Sequence, residues 1–169
     1  MQKLPVGKNP QNGEINVLIE ISKNSNIKYE LDKDSGFMFV DRFLHTAMNY
    51  PCNYGFIPNT HAEDGDPVDV LVMSEYAVVP GVVIPSLVIG VLEMEDEAGI
   101  DAKLLAVPSK KIDPMYGSFT DIGDVPEAIK NKIKHFFENY KTLEPDKWVK
   151  VKEWHGREKA LEAVKNGMK

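Results

Sequence analysis

From Phe43 to Ala102 the chain runs for 60 residues without a Lys or Arg, yet this stretch carries ten carboxylates, all between Glu63 and Asp101. Crowded like charges repel, so a fold that gathers them must bring cations from elsewhere. The remaining 109 residues hold 20 basic and 16 acidic side chains, a net +4 against −6 for the whole chain. Charge is therefore segregated along the sequence. The acidic segment is either a solvated face or a recruiter of inorganic cations through hard carboxylate oxygens.

Short strand signals surround these acids. Ile15, Val17, Ile19 and Ile21 alternate with Asn16, Leu18 and Glu20, a period-two pattern that turns Glu20 away from the main apolar face. Lys28-Tyr29-Glu30-Leu31 alternates again, and Asp34-Ser35-Gly36 supplies a turn into Phe37 to Val40, which predicts a hairpin. Val68 to Met73, Val82 to Leu92 and Lys103 to Val107 add strands punctuated by Pro67, Pro80-Gly81, Gly99 and Pro108. Short strands at this spacing suggest a barrel. A helix is expected after Asp124 as N-cap with Glu127 completing a capping box, burying Ile129, Ile133, Phe136, Phe137 and Tyr140 along one stripe. Trp148 to Trp154 reads as a late strand, and Arg157 to Asn166 as a second helix stopped by Gly167.

At 169 residues the chain is the size of one domain with one sizeable core. Cys52 is the only thiol, which removes intrachain disulfides and thiolate zinc sites and fits a reducing compartment such as the cytoplasm. The opening MQKLPVGKNPQNGE holds no apolar run suited to a signal-peptide core. The uncharged, largely apolar stretch Tyr76 to Leu92 is broken by Pro80, Gly81, Pro85 and Gly90, so no membrane partner is expected. A net charge of −6 argues against nucleic acid as a partner.

The most informative run is Asp64-Gly65-Asp66-Pro67-Val68-Asp69-Val70, three carboxylates within six residues, with Gly65 and Pro67 fixing the turn between them. Such a loop can converge oxygen ligands on a divalent cation, although a plain surface turn uses the same residues. It is no EF-hand, because Val68 would stand at a ligand position and Asp69 where glycine is required. A second acidic run, Glu93 to Asp101, lies between two predicted strands. Glu93, Glu95 and Glu97 are read there as a solvated hairpin surface. Cations for a phosphate substrate would have to come from Lys28, Arg42, Lys103 and Lys141, while Tyr50 and Tyr54 could donate phenolic hydrogen bonds and Gly55 permit a sharp turn. His45, His61, His135 and His155 show no HExxH-like spacing.

The signature Asp64 to Val70 resembles that of the soluble family I inorganic pyrophosphatases, short prokaryotic form. The resemblance extends through Ile19-Glu20-Ile21, Lys28-Tyr29-Glu30, Val40-Asp41-Arg42, Tyr50 to Gly55, Asp96 to Gly99, Asp101-Ala102-Lys103 and His135 to Lys141, essentially the whole chain. It implies an OB-like five-stranded β-barrel with flanking helices, assembled as a homohexamer, acting on pyrophosphate with several Mg2+ per site. Carried over residue by residue, Asp64, Asp69 and Asp101 would ligate a first magnesium and Asp69 would bridge to a second. Asp96 and Asp101 would hold metal arriving with substrate, and Asp66 would accept the proton of the attacking water. Lys28, Arg42, Tyr54, Lys103, Tyr140 and Lys141 would contact phosphate, with Glu20, Glu30 and Tyr50 lining the site. Ser22 and His61-Ala62-Glu63 depart from common members, and Glu63 is expected to face solvent.

Two other readings remain at this point. A nucleotide or phosphodiester hydrolase would call for an adenine-stacking pocket or a glycine-rich phosphate loop, and neither is visible. An OB-type single-strand binder would call for a basic groove, where this sequence offers acids.

Overall fold

The alternating isoleucines form the first strand, β1 (Glu14–Ile21), with Ile15, Val17, Ile19 and Ile21 all buried. The computed structural model describes residues 4–169, so the first three residues of the opening segment lie outside them. The expected hairpin is present as β2 (Ile27–Leu31) and β3 (Met38–Phe43), paired antiparallel with Tyr29 opposite Val40 and Leu31 opposite Met38. Gly36 closes its turn at φ 75°, a left-handed conformation that glycine adopts without a Cβ clash.

The main sheet contains β4 (Asn53–Phe56), β5 (Asp69–Val72), β6 (Val83–Asp96), β7 (Gly99–Ile100), β8 (Lys103–Pro108) and β9 (Val149–Gly156), together with β1. Strands β1, β4, β5, β8 and β6 follow one another, and β6 pairs back onto β1, so five strands close on themselves. This is the expected OB-like five-stranded architecture. The long strand β6 pairs with β1, β8, β7 and β9, and irregular registers at Val88/Gly90 and Leu92/Met94 let it serve all four. One core cluster lies beneath α1 (Glu127–Asn139) and the other meets α2 (Arg157–Gly167) through Ala160 and Val164. Ile133, Phe136 and Phe137 of α1 are buried, and each such burial contributes about 2 kcal/mol.

Three local expectations are corrected. The capping box forms one turn early: Asp121 caps a short 3-10 turn, Ile122–Asp124, whose third residue Asp124 returns its carboxylate to the Asp121 N–H, while α1 starts after Pro126. Pro126 has no N–H to be capped and a fixed φ, so it suits the position just before the helix. Gly167 is the last residue of α2, one position inside the expected stop and without a left-handed φ; a Cβ there would meet Val68 Cγ2 at 2.6 Å, so the glycine serves close packing. Gly55 makes no turn either. It sits in β4 opposite Ile19, where a Cβ would fall 1.9 Å from the Leu18 carbonyl oxygen.

Among the described residues no helix is long and apolar enough to cross a membrane.

Candidate active site

The sheet delivers the charged residues to one end of the closed ring. Strands β5 and β8 run parallel with Val70 opposite Leu104, which sets Asp69 and Lys103 side by side at their starts. β6 ends at Asp96, β1 brings Glu20 near its own end, and the C-terminus of α1 leads into Tyr140 and Lys141. The β2–β3 hairpin adds Lys28 and Arg42, which face each other in register and share the Asp41 carboxylate at 3.2 and 2.8 Å.

These elements surround a cavity of about 310 Å3. Thirteen of the fourteen residues selected from the sequence line it: Glu20, Lys28, Glu30, Arg42, Tyr54, Asp64, Asp66, Asp69, Asp96, Asp101, Lys103, Tyr140 and Lys141. Tyr50 does not. It is fully buried beneath the site, its ring 5.5 Å from Tyr54, 4.6 Å from Phe136 and 6.4 Å from Tyr140. An apolar ring of that size gains more from this aromatic cluster than from the polar cavity, and it fixes Tyr54 and Tyr140 from below.

Lys103 is the buried cation of the site. Its ammonium donates to Asp69 at 2.6 Å, Asp101 at 2.8 Å and the Tyr54 hydroxyl at 3.0 Å. Burial alone would lower its pKa, but Asp69, Tyr54 and Asp101 together hold it well above the usual lysine range. Burial raises the Asp101 acid despite Lys103. Glu20 accepts the Leu31 N–H at 2.9 Å. Its burial, with Asp69 and Glu30 nearby, lifts its pKa to about 7. Burial likewise pushes the Tyr140 hydroxyl up to about 12 and keeps it a donor.

Asp64 accepts the Asp66 backbone N–H at 2.9 Å, and Asp66, largely exposed, pairs with Lys33 at 3.3 Å. Lys141 lies 3.3 Å from Asp96. Glu63 is exposed, as expected. The donor chemistry fits magnesium, because Asp64, Asp69, Asp96 and Asp101 present hard carboxylate oxygens to one cavity. Among the described residues no three acids or imidazoles are gathered into a ready-made metal cage, since ammonium groups stand between them.

The sequence model of inorganic pyrophosphatase matches residues 17–169. An inorganic pyrophosphatase of Aquifex pyrophilus is 59% identical over 98% of this chain and 93% of its own length. The chain belongs to the inorganic pyrophosphatase family. Solved family structures agree with its fold: the Helicobacter pylori pyrophosphatase superposes with a TM-score of 0.94 at 52% identity, covering 99% of this chain and 97% of that one. The Thermus thermophilus pyrophosphatase gives 0.93 at 49% identity over 98% and 95%.

Within this family member, sequence reasoning passed over five site residues. Asp41 joins Lys28 to Arg42, and Glu144, almost buried, takes the other side of the Arg42 guanidinium. Lys33 and Lys147 line the cavity. Glu97, read as a solvated surface acid, is indeed exposed, but it is also held by Lys141, Lys147 and the Trp148 N–H. Burial pushes its acid up, yet hydrogen bonds from its own N–H, Lys147 and Trp148 bring it down to about 2. The available signal was its position next to Asp96, weakened by the surrounding run of acids that made any one of them look solvated.

Proposed function

We propose that this chain hydrolyses inorganic pyrophosphate to two phosphates by attack of water at a carboxylate-rich magnesium site, with Asp66 as proton acceptor. The observation that carries the reading is that every cation of the cavity is already paired with an acid. Lys28 and Arg42 are held by Asp41, Lys33 by Asp66, Lys103 by Asp69 and Asp101, and Lys141 and Lys147 by Glu97. The cavity lining counts eight carboxyl groups against six cations, formally −2.

Such a cavity repels a polyanion. Admitting pyrophosphate without excess charge calls for on the order of three divalent cations. Asp64, Asp69, Asp96 and Asp101 would hold magnesium, which when bound would screen the phosphates and acidify an attacking water. With these acids engaged by metal, their ammonium partners would be free to turn to phosphate. Lys103 and Lys141 would then meet the oxygens that gain charge in the transition state, and Lys28 and Arg42 would do so from the hairpin. Tyr54 and Tyr140, still protonated at neutral pH, donate to the same anion. Asp66, exposed and tied only to Lys33 among side chains, is free to take the water's proton.

Phosphate release from pyrophosphate and from ATP, with magnesium and after exhaustive chelation, tests this. Activity on pyrophosphate that needs metal supports the reading, and activity surviving chelation refutes it.

The single buried thiol, Cys52, supports a cytoplasmic location. Exposed Tyr76, Val79, Ile112 and Met115 offer apolar surface for the homohexamer that the family resemblance implies. Light scattering showing only a 19.0 kDa species at micromolar concentration would count against that assembly.

A further inference from the structure

We infer that Glu97 is a positioning residue, which holds the Lys141 ammonium and the Lys147–Trp148 backbone against the acidic β6–β7 turn so that Lys141 faces incoming phosphate. The inference rests on the pyrophosphatase reading above. Both Glu97 carboxylate oxygens lie 3.4 Å from Lys141 Nζ, Oε1 lies 3.1 Å from Lys147 Nζ, and Oε2 accepts the Trp148 N–H at 3.4 Å. One carboxylate thus ties together three points of the segment that follows α1.

The second partner of Lys141 is Asp96, at 3.3 Å. Asp96 is committed to metal in the proposed reaction, so it cannot also neutralise Lys141 during turnover. Lys141 is nearly buried, and a buried ammonium without a counter-charge is costly. Glu97 is then its remaining acid. It offsets the repulsion between Lys141 and a cation on Asp96 while leaving the ammonium within reach of the substrate.

Glu97 lines the cavity without being assigned to metal or phosphate, and it can be shortened or neutralised separately. E97D keeps the charge but is one methylene too short for its contacts of 3.1 to 3.4 Å. E97Q keeps the reach and loses the charge. Steady-state hydrolysis of magnesium pyrophosphate by the full-length chain and both variants is expected to show KM raised about tenfold in each, with kcat within about threefold, since substrate binding is what a displaced Lys141 loses. A simple surface charge predicts the opposite pattern: wild-type KM in E97D and a lower KM in E97Q, because one repelling charge is gone. That result overturns the inference, as does a collapse of kcat at unchanged KM, which would put Glu97 on the reacting atoms. A wild-type chain that releases no phosphate from pyrophosphate removes the underlying reading, and is distinguished by that control alone. If E97Q fails to fold, E97D carries the test.

Discussion

Asp69 and Lys103 stand side by side where β5 and β8 begin, the ammonium 2.6 Å from the carboxylate. Strand register puts them there, since Val70 faces Leu104 across the parallel joint. The pair is a charge-neutral resting state for an acid that the proposed function assigns to metal.

Replacing Lys103 with Met should leave Asp69 and Asp101 uncompensated in a largely dry site. We expect the chelated protein to lose roughly 3 kcal/mol, the scale of a broken buried pair. Magnesium should then restore most of that loss, because the freed carboxylates gain a stronger cation, while turnover falls. Urea unfolding in chelator and in magnesium reads both effects, and equal losses in the two conditions would sink the exchange of ammonium for metal.

Glu20 sets a pH dependence. Its pKa rises from an ordinary 4.5 to about 7 in the fold, so the folded protein binds this proton more tightly than the unfolded chain. Protonation therefore favours folding. Stability from this group is fully present below pH 4.5 and lost as pH rises towards 7, a difference of about 3 kcal/mol. Glu20→Gln keeps an acceptor for the Leu31 N–H without ionising. In chelator it should stabilise the protein at pH 8 and change little at pH 4.5, as thermal or urea melts at the two values would show.

Gly55→Ala should be among the most damaging single methyl additions. The new Cβ would fall 1.9 Å from the Leu18 carbonyl oxygen, so β1 and β4 must separate and Tyr54 must move with them. We expect a loss of about 3 kcal/mol or more, together with weakened pyrophosphate binding. A variant with wild-type melting would show that the two strands are less closely opposed.

Elements whose burial is one-sided were legible in the sequence. The isoleucines of β1 and the Ile133, Phe136 and Phe137 stripe of α1 repeat with the period of their own element, and each stripe is buried. The glycines were misread because a turn and a close approach leave the same mark on the sequence: Gly36 bends the chain, whereas Gly55 and Gly167 make room for Leu18 and Val68. Most candidate site residues could be named from the family resemblance, but their partners could not. Glu144 sits 102 residues from Arg42 and Asp96 lies 45 from Lys141, and no local pattern encodes contacts that the segment after α1 makes with elements so distant in the chain. Tyr50 shows the same limit, since polar and buried aromatics look alike until Phe136 and Tyr140 pack against it.

The assignment of Asp66 as proton acceptor is separable from metal binding. Asp66 is flanked by Asp64 and Asp69, yet it lies exposed, with Lys33 as its side-chain partner. Asp66→Asn keeps size and shape, and the Asp64 carboxylate can still receive the backbone N–H of residue 66 that shapes the loop. Folding and magnesium affinity should therefore survive while turnover drops by roughly 10²–10⁴-fold, the usual scale for a lost general base. Asp69→Asn should differ. It removes a charged oxygen that pairs with buried Lys103 and would hold magnesium, so magnesium affinity should weaken and high magnesium should recover part of the rate. Titrating magnesium against phosphate release for both variants distinguishes the two roles. Full recovery of Asp66→Asn by metal would make Asp66 a ligand, and the proton would have to go to another acid of the cavity; Glu20, whose pKa of about 7 already suits a base at neutral pH, would be the next to test.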